Sequence, residues 1–162
     1  MRRTTTPVLQ PAVIILSVHD AFNYVISEFQ NLFTDNININ INVKAGNVGL
    51  GQSATFLYGK FDYSQIQALL TADQANGSDN TATLQSDERR CHDQFWLSTA
   101  EAKALGLNPG NSSDGTFTFS NAQAYTFDPN NRQVAGRFDW IGVAEHEVSE
   151  IMGRISLVKQ AT

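Results

Sequence analysis

Residues Phe138–Ile155 read FDWIGVAEHEVSEIMGRI. Asp139 stands as an N-cap ahead of apolar residues at helical spacing, namely Trp140, Val143, Ala144, Val148 and Ile151. Gly153 supplies a stop, so the pattern predicts a helix. Inside it, His146, Glu147 and Glu150 spell H-E-x-x-E. Residues four apart on a helix face the same way, so His146 and Glu150 are placed to share one metal ion. Glu147 lies about 100° further round, beside the water that such an ion would polarise.

Metal-assisted hydrolysis needs protein ligands, a coordination position left open for water, and a carboxylate to take the water's proton. His146 and Glu150 answer the first need as zinc ligands, and Glu147 answers the third as general base. A bare H-E-x-x-E pattern has low specificity, because glutamate-rich helices are common and most carry a solvated polar stripe. Glu147, however, falls between Val143 and Ile151, within the apolar face. A carboxylate there is costly unless it has a partner or a task.

Working outward, the 162 residues suit one domain with a core of its own. Charged residues are scarce at 17%, and the net charge of −5 gives no support to nucleic-acid binding, with no basic cluster larger than Arg89-Arg90. A single cysteine, Cys91, excludes an internal disulfide framework and a cysteine-rich zinc site. No stretch has the length to span a bilayer. Met1-Arg2-Arg3 is basic and Ala12–Leu16 apolar, but a five-residue run preceded by Pro7 and Pro11 makes no signal peptide. Val13–Val18 reads instead as a first strand, with residues 1–11 flexible.

Asp20 is read as the cap of a helix running to Phe33, with Phe22, Val25, Ile26, Phe29, Leu32 and Phe33 recurring at three- and four-residue spacing. Asn36–Val43 (NINININV) alternates strictly and predicts a half-buried strand. Lys44–Gln52 reads as a glycine-rich loop without the ending of a phosphate loop. Ala54–Lys60 reads as a strand, and Asp62 or Tyr63 opens a helix to Ala72. Asp73–Gln94 reads as a polar surface loop, and Phe95–Leu97 as a strand. Ser98-Thr99-Ala100-Glu101 fits a capping box for a short helix stopping at Gly106. Thr116–Ser120 and Ala124–Phe127 are expected to form a hairpin.

Other chemistry-bearing residues are weaker candidates. His92, in the run Cys91-His92-Asp93, reads as solvated, since adjacent residues rarely point at one ion. Cys91 lacks a helix start or strained turn to activate it as a nucleophile. His19 reads as structural. Arg154 pairs with a carboxylate or favours the negative end of the helix dipole. Trp96 and Tyr125, the only aromatics that would offer a carbohydrate platform, are expected in the core.

The stretch FDWIGVAEHEVSEIMGRIS resembles metalloprotease-like bacterial secreted proteins with a signature close to YDF-I-G-V-A-x-H-E-I-S-E-V-M-G-R. These are distant relatives of the zincins, especially of the metzincin helix H-E-x-x-H-x-x-G-x-x-H. Leu32-Phe33, Tyr63-Ser64-Gln65-Ile66, Ala102–Leu107 and Asp114-Gly115 look like further landmarks of that family. The resemblance implies a zincin-like α+β or α/β domain over residues 1–162. It would have a mixed sheet, packing helices and an active-site helix near the C-terminus. It also implies zinc as cofactor, a protein or peptide substrate and a secreted location, while the charge and the lack of a spanning stretch argue against a nucleic-acid or membrane partner. Carried over by position, His146 is the first zinc ligand and Glu147 the general base. Glu150 and Ser156 stand where the second and third histidines would be, and Gly153 matches the metzincin glycine. Glu150 remains an accepted zinc ligand, whereas Ser156 is a poor one. Those two departures keep an alternative open: a non-catalytic zincin-like relative with an eroded metal site, acting as a binding protein.

Overall fold

Ser17 starts the first helix. Its hydroxyl accepts from the Asp20 N–H (3.2 Å), while its own N–H (3.2 Å) and hydroxyl (2.7 Å) donate to the Asp20 carboxylate. This is a reciprocal capping box. The helix, α1, therefore spans Val18–Leu32 in the computed structural model, which describes residues 17–33, 35–73, 94–110 and 112–155. Asp20 is the third helical residue rather than the cap, and Val18 is helical rather than the end of a strand. The expected strand residues 13–16, the Asp87–Arg90 cluster, Cys91, His92, Asp93 and Ser156 lie outside the described residues.

The described residues form a mixed α+β arrangement. After α1 come β1 (Ile41–Gly46), β2 (Gly51–Thr55) and β3 (Leu57–Asp62), then α2 (Tyr63–Asp73). β4 (Gln94–Ser98), α3 (Thr99–Ala104), β5 (Gly115–Ser120), β6 (Tyr125–Thr126), β7 (Phe138–Asp139) and α4 (Trp140–Ile151) follow. β5 is central in a mixed sheet of order β1-β5-β2, parallel to β1 and antiparallel to β2. β3 pairs antiparallel with β4, and β6 pairs parallel with β7.

The alternation in NINININV survives in burial, with Ile37, Ile39, Ile41 and Val43 inward of their asparagines. Ladder pairing begins only at Ile41 and continues to Gly46, since β5 starts opposite it at Gly115. The expected hairpin between Thr116–Ser120 and Ala124–Phe127 does not form. Both edges of β5 are already taken by β1 and β2, so the chain after Ser120 turns away and β6 pairs with β7 instead. The expected strand Ala54–Lys60 is two strands broken at Phe56, whose N–H donates to Asp114 O and whose carbonyl accepts from the Thr99 N–H.

α4 is the element against which the core closes. It buries Trp140, Ile141, Ala144, Glu147, Val148 and Ile151, whereas α2 buries none of its residues. A fully buried Val, Ile or Phe side chain contributes about 1.5–3 kcal/mol, so most apolar stabilisation gathers where α1, β5 and α4 meet. Trp140 sits at that junction, 5.5–6.3 Å from the rings of Phe22, Phe117, Phe119 and Phe127. Tyr125 is in the core as expected, but Trp96 is exposed on β4 with the Lys60 ammonium 5.1 Å from its ring centre.

Gly153 ends α4 with φ +118°, and a Cβ there would run into the Glu101 carboxyl. Glu101 is fixed because its carboxylate accepts from the Ser98 N–H at the start of α3 (2.8 Å). Gly153→Ala is therefore expected to lower stability by upwards of about 1 kcal/mol, from both the left-handed backbone and the collision. Thermal melting checks this, and an unchanged midpoint would show that the turn accommodates a side chain.

Candidate active site

Strand β2 presents Gly51, Ser53 and Thr55 to one side, alternating with the exposed Gln52 and Ala54. That side carries small residues only, so α4 approaches closely. A Cβ on Gly51 would lie 2.6 Å from both Glu147 Oε1 and Val143 Cγ1. Two residues on, Ser53 Oγ donates to Glu150 Oε2 (2.5 Å), and two further, Thr55 Oγ1 donates to the Glu150 carbonyl (3.1 Å). Strand and helix thus run side by side, and the carboxylates of α4 rest on β2.

His146 Nε2 and Glu150 Oε1 are 3.2 Å apart, with the imidazole 56% and the carboxylate 30% exposed. Zinc bond lengths to nitrogen and oxygen place tetrahedral ligand atoms about 3.3 Å apart, so this spacing fits two ligands of one ion. Glu147 is only 7% exposed. Burial, and next the negative charge of Glu150, push its carboxyl above the usual range, against the lowering pull of hydrogen bonds from Ser53 and the nearby His146. Among the described residues, no group of three or more His, Cys, Asp or Glu converges to hold an ion, so a third ligand is not found there.

A concavity of about 430 Å³ opens beside this face, lined by Leu50 and Gly51 on one wall and Asp139, Gly142, Val143, His146 and Glu147 on the other. Its first wall is fixed by Tyr125, whose buried hydroxyl donates to the Leu50 carbonyl (2.7 Å). Its far end is fixed by Arg132. That guanidinium donates through Nε to Asp139 (2.6 Å) and through both Nη atoms to Glu145 (3.1 and 2.9 Å). These bonds, those to Glu145 first, raise the pKa of Arg132 further. Asp139 occupies the N-cap position but makes no side-chain cap bond: its Oδ2 accepts from Arg132, and its Oδ1 is buried without a hydrogen-bond partner. A second cavity, of about 320 Å³, lies across α4 between α1, residues 35–41 and α3. It is walled mainly by apolar side chains and gathers no comparable cluster.

The structure therefore brings together His146, Glu147 and Glu150, the three residues singled out from the sequence. Reading the sequence missed Gly51, Ser53, Leu50 and the Arg132–Asp139–Glu145 network. The small-residue alternation at positions 51, 53 and 55 was the available signal for the first two. Compared with known proteins, the chain matches no family model, no curated protein and no solved structure.

Proposed function

We propose that the protein is a zincin-like, zinc-dependent peptidase, exported from the cell, with α4 as its catalytic helix. The observation that carries this reading is Glu147: a carboxylate in the apolar face, raised in pKa, beside a histidine–glutamate pair at ligand spacing and open to a cavity. His146 and Glu150 would hold the ion. Zinc bound there would supply Lewis acidity, easing deprotonation of water and polarising the scissile carbonyl. Glu147 takes the proton from the attacking water and passes it to the leaving amine, a task suited to a carboxyl whose pKa is moved towards neutrality. Ser53 holds Glu150 in place, and Gly51 leaves the space that Glu147 occupies. An extended peptide suits the cleft, because among the described residues β2 pairs only with β5, and its other edge can accept a strand.

Zinc analysis of the purified protein, together with melting in the presence of a chelator, tests the reading. A site filled at about 100 times its Kd stabilises the fold by about 2.7 kcal/mol. Chelation is therefore expected to lower the midpoint by roughly 5–10 °C. Protein that takes up no zinc even when zinc is supplied in excess, with a midpoint indifferent to zinc and to chelator, would end the peptidase reading.

One observation favours the alternative, a non-catalytic relative that keeps the scaffold as a binding protein. The second ring nitrogen of His146 faces the guanidinium of Arg154 at 3.1 Å.

A further inference from the structure

Metal-ligating histidines ordinarily donate their second ring N–H to a carboxylate, a backbone carbonyl or water. His146 has the reverse arrangement. Arg154 Nη2 lies 3.1 Å from His146 Nδ1 and 3.3 Å from the His146 carbonyl oxygen, while Arg154 Nε donates to Ser149 Oγ (2.7 Å). The Arg154 N–H also donates to the Ser149 carbonyl (3.0 Å), so the residue is tied down by backbone as well as side chain.

A guanidinium has five N–H donors and no acceptor. A ring nitrogen that meets it must therefore offer a lone pair, which puts the single imidazole proton on Nε2. There it faces Glu150 Oε1, 3.2 Å away, at ion-pair distance from the carboxylate. The Arg154 contact is satisfied only when Nδ1 carries no proton, and the neutral ring then has its proton on the side of Glu150. Ligation through Nε2 requires the opposite tautomer, with Nδ1–H directed at the guanidinium, donor against donor.

We infer that Arg154 is a positioning residue that locks His146 in the Nε2–H tautomer, so that metal can occupy the His146–Glu150 pair only when the Arg154 contact opens. The inference rests on the metal-binding reading of α4 and adds its regulation. The site is conditional: whatever draws Arg154 away, such as an anionic group of a substrate or partner, frees His146 to bind the ion. Arg154 is exposed at the end of the helix, where such a group can reach it.

The test uses the full chain with and without Arg154→Met, which keeps the apolar stem and removes every side-chain donor. Nitrogen-15 imidazole shifts of the metal-free proteins report the tautomer, and titration with zinc alone reports affinity. The expected result is an Nε2–H signature for His146 in the parent protein and its loss in the variant. Zinc binding by the variant is expected to be about 10-fold tighter or more, the scale of effects from groups behind a ligand. An Nδ1–H signature in the parent overturns the inference, as does equal zinc affinity in the two proteins, which leaves the metal-binding reading standing. Failure of both proteins to bind zinc overturns the inference and the peptidase reading together.

Discussion

Glu147→Gln is expected to lower the proposed peptidase activity by about 10²- to 10⁴-fold, the usual loss when a general base is removed, while leaving the fold no less stable at neutral pH. Both parts follow from the same burial. The carboxyl is raised above its ordinary value near 4.5 by desolvation and by Glu150, so the folded state holds the proton more tightly than the unfolded chain. For a group of that kind, stability falls as pH rises from the unfolded value through the folded one, and the whole penalty is present above it. Glutamine carries no charge and escapes that penalty. Melting curves of the two proteins should therefore converge below pH about 4.5, and the variant should hold its midpoint better as pH rises. A residue that costs stability and is required for turnover belongs to function rather than to the scaffold. Retained activity would remove Glu147 from the mechanism, and a variant that melts well below the parent at neutral pH would make it structural.

Lys103→Met is expected to be the most damaging single change to stability, at about 3–5 kcal/mol, the loss typical of stranding one member of a buried ion pair. In a domain of this size that lowers the melting midpoint by roughly 10 °C or more. Lys103 Nζ lies 2.7 Å from Asp114 Oδ2 and donates to the Asn38 carbonyl at 2.8 Å. The same carboxylate oxygen accepts from the Asn40 N–H at 2.7 Å. Side-chain exposure is 9% for the lysine and 1% for the aspartate, and Asp114 Oδ1 is buried without a hydrogen-bond partner. Removing the amine would leave a desolvated negative charge at the point where α3, residues 38–40 and the start of β5 are joined. Asp114→Asn should cost less alone, because the long lysine stem can carry its charge out to water. Combined with Lys103→Met it should recover part of the loss, giving a coupling that a double-mutant cycle measures. A single variant melting within a degree or two of the parent would show that the pair is effectively solvated.

The Lys103–Asp114 pair illustrates what could not be read from the chain. Neither residue belongs to a motif, they lie in different elements, and only packing brings the amine to the carboxylate. The capping boxes are the opposite case. Ser98 and Glu101 sit three apart and satisfy each other within one turn, so that helix start was legible. The box at Ser17–Asp20 was misread by three residues because Asp20 caps equally well by residue type, and only the bonds actually made show which side chain stands first.

By itself the sequence determined the elements whose signals are local: the helix of α4, its stop at Gly153, the alternating burial of NINININV, and the convergence of His146 with Glu150 across one turn. Each follows from local backbone geometry: residues three or four apart share a helix face, residues two apart share a strand face, and glycine takes the left-handed turn that ends the helix. Tertiary structure alone decided which strands pair, because β5 could join β6 in a hairpin or accept β1 and β2 on its two edges, and it does the latter. It also decided that Glu147 is buried, since that depends on Gly51 letting a strand nearly a hundred residues away close over it. The candidate residues of the helix were thus written locally, while the burial that raises the pKa of its central acid was set by a strand that only the folded chain supplies.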